Sequence, residues 1–252
     1  MKPVWVAGFG LWSTGFSDAA SWIAGVPDGA LVEPRATLIA PRLARRTSFL
    51  TRMAAEVLAQ ARAGADLAKV MSVYSSANGE LRTLAALLEM LHGDGIYSPM
   101  RFQNSVHNTA AGHLSILTAN PCFTTSLAAG TESVAMGLVE SLALLEERGG
   151  TVIAVFADES PAGEFGLPAY NSLATAIHLS AEQGASRVRL ENLRCVQTPI
   201  VRPPLPGLVE NPCAASIPLI EQLQRGQSGT VPVSFGVAPW VIDLALQAEV
   251  SR

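Results

Sequence analysis

Residues 124–133, with the sequence TTSLAAGTES, decide the fold of this chain. They join a short extended segment at residues 123–127 to an amphipathic helix predicted at residues 131–147. Small residues at such a junction present a side chain at a helix N-terminus, where backbone N–H groups and the helix dipole favour negative charge. An acyl-transfer enzyme places its nucleophile at this kind of junction. Here the candidate position holds Leu127, which has no nucleophilic atom.

Strand and helix patterns alternate on both sides of this junction. Residues 151–157 (TVIAVFA) form the clearest strand, because they are apolar and rich in β-branched side chains. The alternation predicts an α/β fold with a mixed, mostly parallel sheet covered by helices on both faces. Further strands are predicted at residues 4–8, 70–74, 174–179, 188–193, 231–235 and 240–246, with 174–179 and 188–193 paired as a hairpin. Helices are predicted at residues 19–24, 46–61, 80–91, 104–117 and 217–223, and a loop at residues 93–103.

Charged residues make up only 15% of the chain, and apolar residues make up 49%. Such a composition fills a sizeable core and leaves little charge for the surface. Two interpretations stay open: a partner covers part of the surface, or the chain simply has a large, alanine-rich core. The net charge is −4, with no basic cluster beyond Arg42, Arg45 and Arg46. Nucleic-acid binding therefore has no electrostatic support, and an acidic carrier protein would find little general attraction.

Targeting and membrane signals are not evident in the sequence. Residues 1–12 contain an apolar run of strand length without a small-residue cleavage pattern. We expect no transmembrane helix, because no apolar stretch is long enough to span a bilayer. The cysteines are odd in number and far apart, at Cys122, Cys195 and Cys213. Their spacing argues against a disulfide framework and favours a reducing, cytoplasmic compartment.

Metal and cofactor motifs are weak. No histidine has HxxxH spacing with an acidic partner, which argues against a metal site at His92, His107, His113 or His178. Residues 8–10 (GFG) resemble the start of a dinucleotide fingerprint, but the third glycine comes too late and no clear helix follows. The sequence therefore predicts neither a metal nor a cofactor.

A second class of function stays open: a stand-alone acyltransferase or thioesterase that uses Ser133 or Cys122. No GxSxG motif is present, and a triad of Ser126 or Ser133 with His107 and Asp158 is not demanded by the spacing. Ser133 also fits a small residue on a helix face, and Cys122 a small buried apolar residue.

Several segments, taken in chain order, resemble the β-ketoacyl synthase family. They are residues 6–10 (VAGFG), 73–79 (VYSSANG), 112–116 (GHLSI), 125–130 (TSLAAG) and 153–159 (IAVFADE). Residues 105–112 (SVHNTAAG) are similar to the signature of short ketosynthase-like N-terminal domain proteins. The resemblance implies a thiolase-like, truncated ketosynthase fold formed as a single domain by residues 1–252. In it, residues 1–160 match the N-terminal ketosynthase half and residues 161–252 a shortened remnant.

The departures from the family pattern imply a subunit without activity of its own. The family's catalytic cysteine falls at Leu127, and no histidine follows His178 in the half of the chain where ketosynthases carry theirs. The short relatives occur in aryl polyene, flexirubin and xanthomonadin-type pathways. The resemblance therefore implies a chain-length-factor-like protein that pairs with an active β-ketoacyl synthase and meets an acyl carrier protein indirectly.

In the family, the loop before the GHL helix reaches toward the acyl tunnel of the other subunit. The matching stretch here is residues 98–105 (SPMRFQNS). We expect Met100 and Phe102 to form the floor of the partner's tunnel, beside Leu127 at the interface. Two alternatives stay open: both side chains pack in the chain's own core, or the subunit only stabilises its partner.

Overall fold

A single eight-stranded sheet forms the centre of the structure, which is a computed structural model describing residues 2–93, 95, 98–161 and 166–247. The strands are β1 (Val4–Ser13), β2 (Met71–Ser75), β3 (Thr124–Leu127), β4 (Thr151–Asp158), β5 (Leu173–Ser180), β6 (Val188–Cys195), β7 (Gly229–Pro232) and β8 (Trp240–Leu246). They lie in the order β3-β2-β4-β5-β1-β6-β8-β7. This order places β3, the strand before the elbow, at one edge of the sheet.

The sheet is mixed, as the sequence predicts, but it is not mostly parallel. Strand β2 pairs in parallel with β3 and with β4, and the other five ladders are antiparallel. The predicted hairpin of residues 174–179 and 188–193 is also wrong, because β1 lies between β5 and β6. Helices connect β2 to β3 and β3 to β4, and such crossovers are what the parallel pairs of β2 require. The sequence pattern showed the strands but not which of them meet.

Helices cover both faces of this sheet. The helices are α1 (Ala19–Ala24), α2 (Pro41–Ala44), α3 (Phe49–Ala61), α4 (Leu81–His92), α5 (Pro99–Gln103), α6 (Thr109–Leu117), α7 (Ser133–Arg148) and α8 (Ile217–Arg225). The predicted loop at residues 93–103 contains α5, which begins with Pro99 at a position where its missing N–H costs nothing. None of the helices in the described ranges is long and apolar enough to cross a membrane.

Residues 152–157 of strand β4 are all apolar because their side chains contribute to two cores. Ile153 and Val155 join the cluster that α3 and α6 cover. Val152, Ala154 and Phe156 join the cluster on the opposite face, under α7 and α8. A strand buried on both faces has no polar positions in its alternation. The continuous apolar run at residues 151–157 is therefore a consequence of its central place in the sheet.

Two helical glycines test how tightly α7 packs on this sheet. A Cβ atom at Gly137 would lie 2.7 Å from the ring of the fully buried Phe156, whereas a Cβ at Gly112 in α6 would meet nothing within 4 Å. We expect Gly137→Ala to lower the free energy of unfolding by about 1–3 kcal/mol, because a packed core must shift. Gly112→Ala is the control and should raise it by about 0.5–1 kcal/mol. Urea unfolding measures both, and equal effects would contradict the packing.

Candidate functional site

The elbow between β3 and α7 forms as the sequence predicts. Strand β3 ends at Leu127, Gly130 adopts the left-handed conformation with φ of 56°, and a 3₁₀ turn at Gly130–Glu132 leads into α7. The Ser133 hydroxyl donates to the carbonyl of Gly130 (2.8 Å) and accepts from the N–H of Ala129 (3.0 Å). These bonds hold the turn closed at the point where α7 begins.

Leu127 occupies the end of the strand without any reactive group. Its side chain packs, partly buried, against the core cluster under α7. Its carbonyl oxygen accepts a hydrogen bond from the N–H of Ser76 at 3.1 Å. An apolar side chain at this position contributes packing and offers no nucleophile.

The residues of the alternative acyl-transfer site are engaged elsewhere. Ser133 is fully buried, with 0% exposure, and its hydroxyl is used by the turn. Cys122 is half-buried with its Sγ 3.6 Å from the carbonyl oxygen of Ala68. Among the described residues no hydrogen bond links either serine of the hypothetical triad to His107 or Asp158, and the His107 ring bonds the Ser76 carbonyl (2.9 Å) instead. The structure therefore gives this alternative no geometric support.

A buried carboxylate, Asp158, lies at the end of β4 close to the elbow. It accepts hydrogen bonds from the Ser76 hydroxyl (2.9 Å), from the N–H groups of Ala77 (3.0 Å) and Asn78 (2.9 Å), and from the Cys213 thiol (3.0 Å). Burial raises the pKa of Asp158, and the four donors oppose that rise. Burial and the neighbouring carboxylate raise the pKa of Cys213 well above its usual value, so its thiol keeps the proton that it donates.

The sequence pattern does not predict this cluster. Asp158 and Cys213 are 55 positions apart, and Cys213 lies in a 3₁₀ turn at Pro212–Ser216 that precedes α8. Asn211 adds a hydrogen bond from its side-chain amide to the backbone carbonyl of Asp158 (3.2 Å). The prediction that Cys213 belongs to no disulfide agrees with this buried, hydrogen-bonded thiol.

Met100 and Phe102 are exposed rather than packed in the chain's own core. Their exposed fractions are 49% and 59%, and α5 has no buried residue. Val106 and Ile116, which the sequence interpretation did not single out, are exposed by 48% and 78%. The alternative that both gate candidates pack internally is therefore wrong. A concentration of exposed apolar side chains indicates a surface that another molecule covers.

The outer edge of β3 is open. The carbonyls of Phe123 and Leu127 accept hydrogen bonds from β2, at 3.0 and 3.1 Å. Because backbone groups alternate in direction along a strand, those of Thr124 and Ser126 point away from β2. No other strand of the described ranges pairs with this edge. An unpaired edge is a template for a strand from another chain.

A polar groove lies beside this edge. It has a volume of about 420 Å³ and lies between β3 and α6, lined by Ala111, Gly112 and Ser115 on the helix side. Small side chains on a helix allow a neighbouring backbone to approach closely. No cluster of three metal-ligating side chains occurs in the part of the chain that the structure describes.

The fold and the elbow define an α/β protein of the thiolase-like ketosynthase class. The chain belongs to the family described as "Beta-ketoacyl synthase, N-terminal domain", which matches residues 21–229. A search of curated proteins finds no match to the sequence.

Solved structures of this class superpose over almost the whole chain. A chain in the complex of the ketosynthase ApeO with its chain length factor ApeC from Xenorhabdus doucetiae gives a TM-score of 0.75 at 23% identity, covering 96% of this chain and 100% of that chain. The ishigamide ketosynthase/chain length factor gives 0.71 at 15% identity, covering 98% and 100%. AntDE:AntF, a type II PKS acyl-carrier protein in complex with its ketosynthase bound to the hexaketide, gives 0.77 at 10% identity, covering 98% and 99%. These similarities establish the fold.

A buried glutamate near the elbow makes the stability of the chain depend on pH. Burial and the charge of Glu159 raise the pKa of Glu80 to about 8, although the Ser48 hydroxyl, 2.7 Å from its carboxylate, lowers it. The folded state therefore favours the protonated acid. This stabilisation is complete below the ordinary pKa of 4.5 and is lost as pH rises toward about 8.

We expect the free energy of unfolding to fall by a few kcal/mol between pH 5 and pH 9, since one unit of pKa corresponds to about 1.4 kcal/mol. Glu80→Gln, a neutral isostere of the protonated acid, should flatten this dependence. At pH 9 its free energy of unfolding should exceed that of the wild type. Glu89→Gln on the exposed face of α4 is the control and should leave the profile unchanged. Urea unfolding across the pH range measures the effect, and parallel profiles for all three proteins would refute it.

Proposed function

We propose that this chain is a non-catalytic, chain-length-factor-like subunit that pairs with an active β-ketoacyl synthase during the elongation of a polyene or fatty-acid-type chain. The observation that carries the proposal is the intact elbow with Leu127 at the nucleophile position. The ketosynthase and chain length factor complexes among the similar structures support a partner of this kind. An acyl carrier protein, present in one of those structures, would meet the pair rather than this subunit alone.

The remaining groups of the chain also argue against condensation chemistry. Decarboxylative condensation needs a thiolate and groups that polarise the thioester carbonyl. The last histidine in the sequence, His178, is buried in β5, where burial lowers its pKa. A neutral, enclosed imidazole in the middle of the sheet is a structural residue. The chain therefore acts through its surface and not through a reaction of its own.

The proposal also covers the pathway and the compartment in which the pair works. The resemblance of residues 105–112 to short ketosynthase-like proteins supports an aryl polyene type of pathway in the cytoplasm. The single sheet, to which strands from both halves of the chain contribute, supports one domain over residues 1–252. No cofactor or metal takes part in this role.

The edge of β3 and the groove beside it are the surface that we assign to the ketosynthase partner. The outward backbone groups of Thr124 and Ser126 supply hydrogen bonds for a partner strand. Gly112 leaves room for close approach, because no atom lies within 4 Å of the place where its Cβ would be. The elbow lies directly at the end of this edge, so Leu127 lies beside the proposed interface while its side chain packs against the core.

Met100 and Phe102 act in this proposal as the floor of the partner's acyl tunnel. Both are exposed on α5, a five-residue helix that begins with Pro99 and whose C-terminal cap is Asn104. A rigid short helix positions large apolar side chains toward a neighbouring molecule at a low entropic cost. The growing chain would stop where it meets them.

Pairing with the ketosynthase tests the proposal. Co-expression of this chain with an active β-ketoacyl synthase from the same genome should give a stable equimolar complex on size-exclusion chromatography. Gly112→Arg should weaken the complex about tenfold or more, because a long side chain fills the groove. Gly112→Ala is the matched control and should pair normally. A soluble chain that elutes alone, with no complex in any variant, would refute the proposed function.

Product length tests the gate. In a reconstituted pair, Phe102→Ala should lengthen the main product by at least one extension unit, because truncation deepens the tunnel. Met100→Ala should act in the same direction. Leu91→Ala, an exposed apolar residue on α4, is the control. Mass spectrometry of the released chains measures the result. Unchanged lengths with a normally soluble partner would leave only the stabilising role and exclude the gate.

A further inference from the structure

Two segments of this acidic chain contain no carboxylate at all. The chain has 21 Asp and Glu residues, yet residues 34–55 and 95–131 include none. The first segment carries five arginines, of which Arg52 pairs with Glu33 at 2.8 Å. Arg42, Arg45 and Arg46 have no ion-pair partner among the described residues. The positive charge of this region is therefore unbalanced within the chain.

The two segments meet at a cavity of about 360 Å³. Leu43 on α2, Met100 on α5, and Ile116 and Leu117 on α6 contribute apolar side chains to its lining. Arg46 contributes the only permanent charge of the lining. Ile116 is 78% exposed, which is unusual for so large an aliphatic side chain. The volume falls in the range of small-molecule pockets.

The walls of the cavity are held in place without using the guanidinium of Arg46. The Asn104 side-chain amide donates to the Arg46 carbonyl at 2.9 Å, which ties the end of α5 to the turn after α2. The N–H of Arg46 donates to the carbonyl of Leu43 at 2.8 Å. The backbone of Arg46 is thus fixed on both sides, and its charged group is left to bind a ligand. A preformed wall lowers the entropic cost of binding.

His113 also lines the cavity and carries no charge at neutral pH. Partial burial lowers the pKa of its imidazole, so the neutral form predominates. Its Nδ1 atom is buried and has no hydrogen-bond partner in the described part of the chain. One fixed positive charge, one neutral polar ring and an apolar wall together match a ligand with a single anionic head and an aliphatic body.

We propose that the cavity between α2, α5 and α6 binds an anionic amphiphile of the fatty carboxylate class. The carboxylate pairs with the guanidinium of Arg46, and the aliphatic chain lies along Leu43, Ile116 and Leu117. The site is separate from the elbow, because no residue of β3 or of the turn after it lines the cavity. It shares Met100 with the proposed gate and does not include Phe102. Binding of the ligand to this chain alone does not require the ketosynthase partner.

Decanoate binding to the full-length chain tests this proposal, with decanol as a neutral probe of the same length. Isothermal titration calorimetry below the micellar concentration should show saturable binding of decanoate at one site. Arg46→Gln should weaken decanoate about tenfold, the loss expected for a hydrogen bond to a charged group, and leave decanol unchanged. Arg45→Gln removes an equally unpaired neighbouring charge outside the lining and is the matched control.

A second variant tests the apolar wall. Ile116→Asn should weaken both probes to a similar extent without unfolding the chain, because Ile116 is exposed. Circular dichroism confirms the fold of each variant. The absence of saturable decanoate binding to the wild type would overturn the proposal, as would equal losses in Arg46→Gln and Arg45→Gln. If Arg46→Gln instead abolishes pairing with the ketosynthase while no probe binds, the cavity belongs to the subunit interface and the proposal is wrong.

Discussion

The buried carboxylate of Asp158 is the interaction on which this structure depends. A charge without access to water is costly unless every lone pair finds a donor, and here four donors from two separate parts of the chain surround it. They tie the end of β4 to the turn after β2 and to the 3₁₀ turn before α8. Removing the carboxylate would leave two N–H groups, a hydroxyl and a thiol unsatisfied in the interior, which costs more than any single bond contributes.

Ser76 extends this constraint to the elbow. Its hydroxyl donates to Asp158, and its N–H donates to the carbonyl of Leu127. Its own carbonyl accepts a hydrogen bond from the His107 ring. The end of β3 is therefore positioned by backbone and buried polar contacts that do not involve the side chain at position 127. The elbow therefore keeps its geometry independently of the side chain at position 127.

Local patterns predicted individual elements well, and the pairing between elements poorly. Strand β4 follows from its continuous apolar run, and the helices α3, α4 and α8 follow from apolar periodicity, because each of these helices has a clear inward face. The antiparallel majority of the ladders does not follow, since strand order depends on contacts between distant segments. The sequence does not predict the Asp158–Cys213 contact for the same reason. The short helix α5 was missed because five residues are too few to show a period. Leu127 was found because a strand-to-helix junction of small residues is a local signal.

The structure bears on both interpretations of the low charge content. Two filled cores account for much of the apolar content, one on each face of the sheet. Yet Met100, Phe102, Val106, Ile116 and Phe123 are all exposed, and all five lie in the segment 95–131 that lacks carboxylates. A large core alone does not explain why these exposed apolar residues and the unpaired edge of β3 lie in the same carboxylate-free segment. Their coincidence is what a surface built to be covered by another molecule would show.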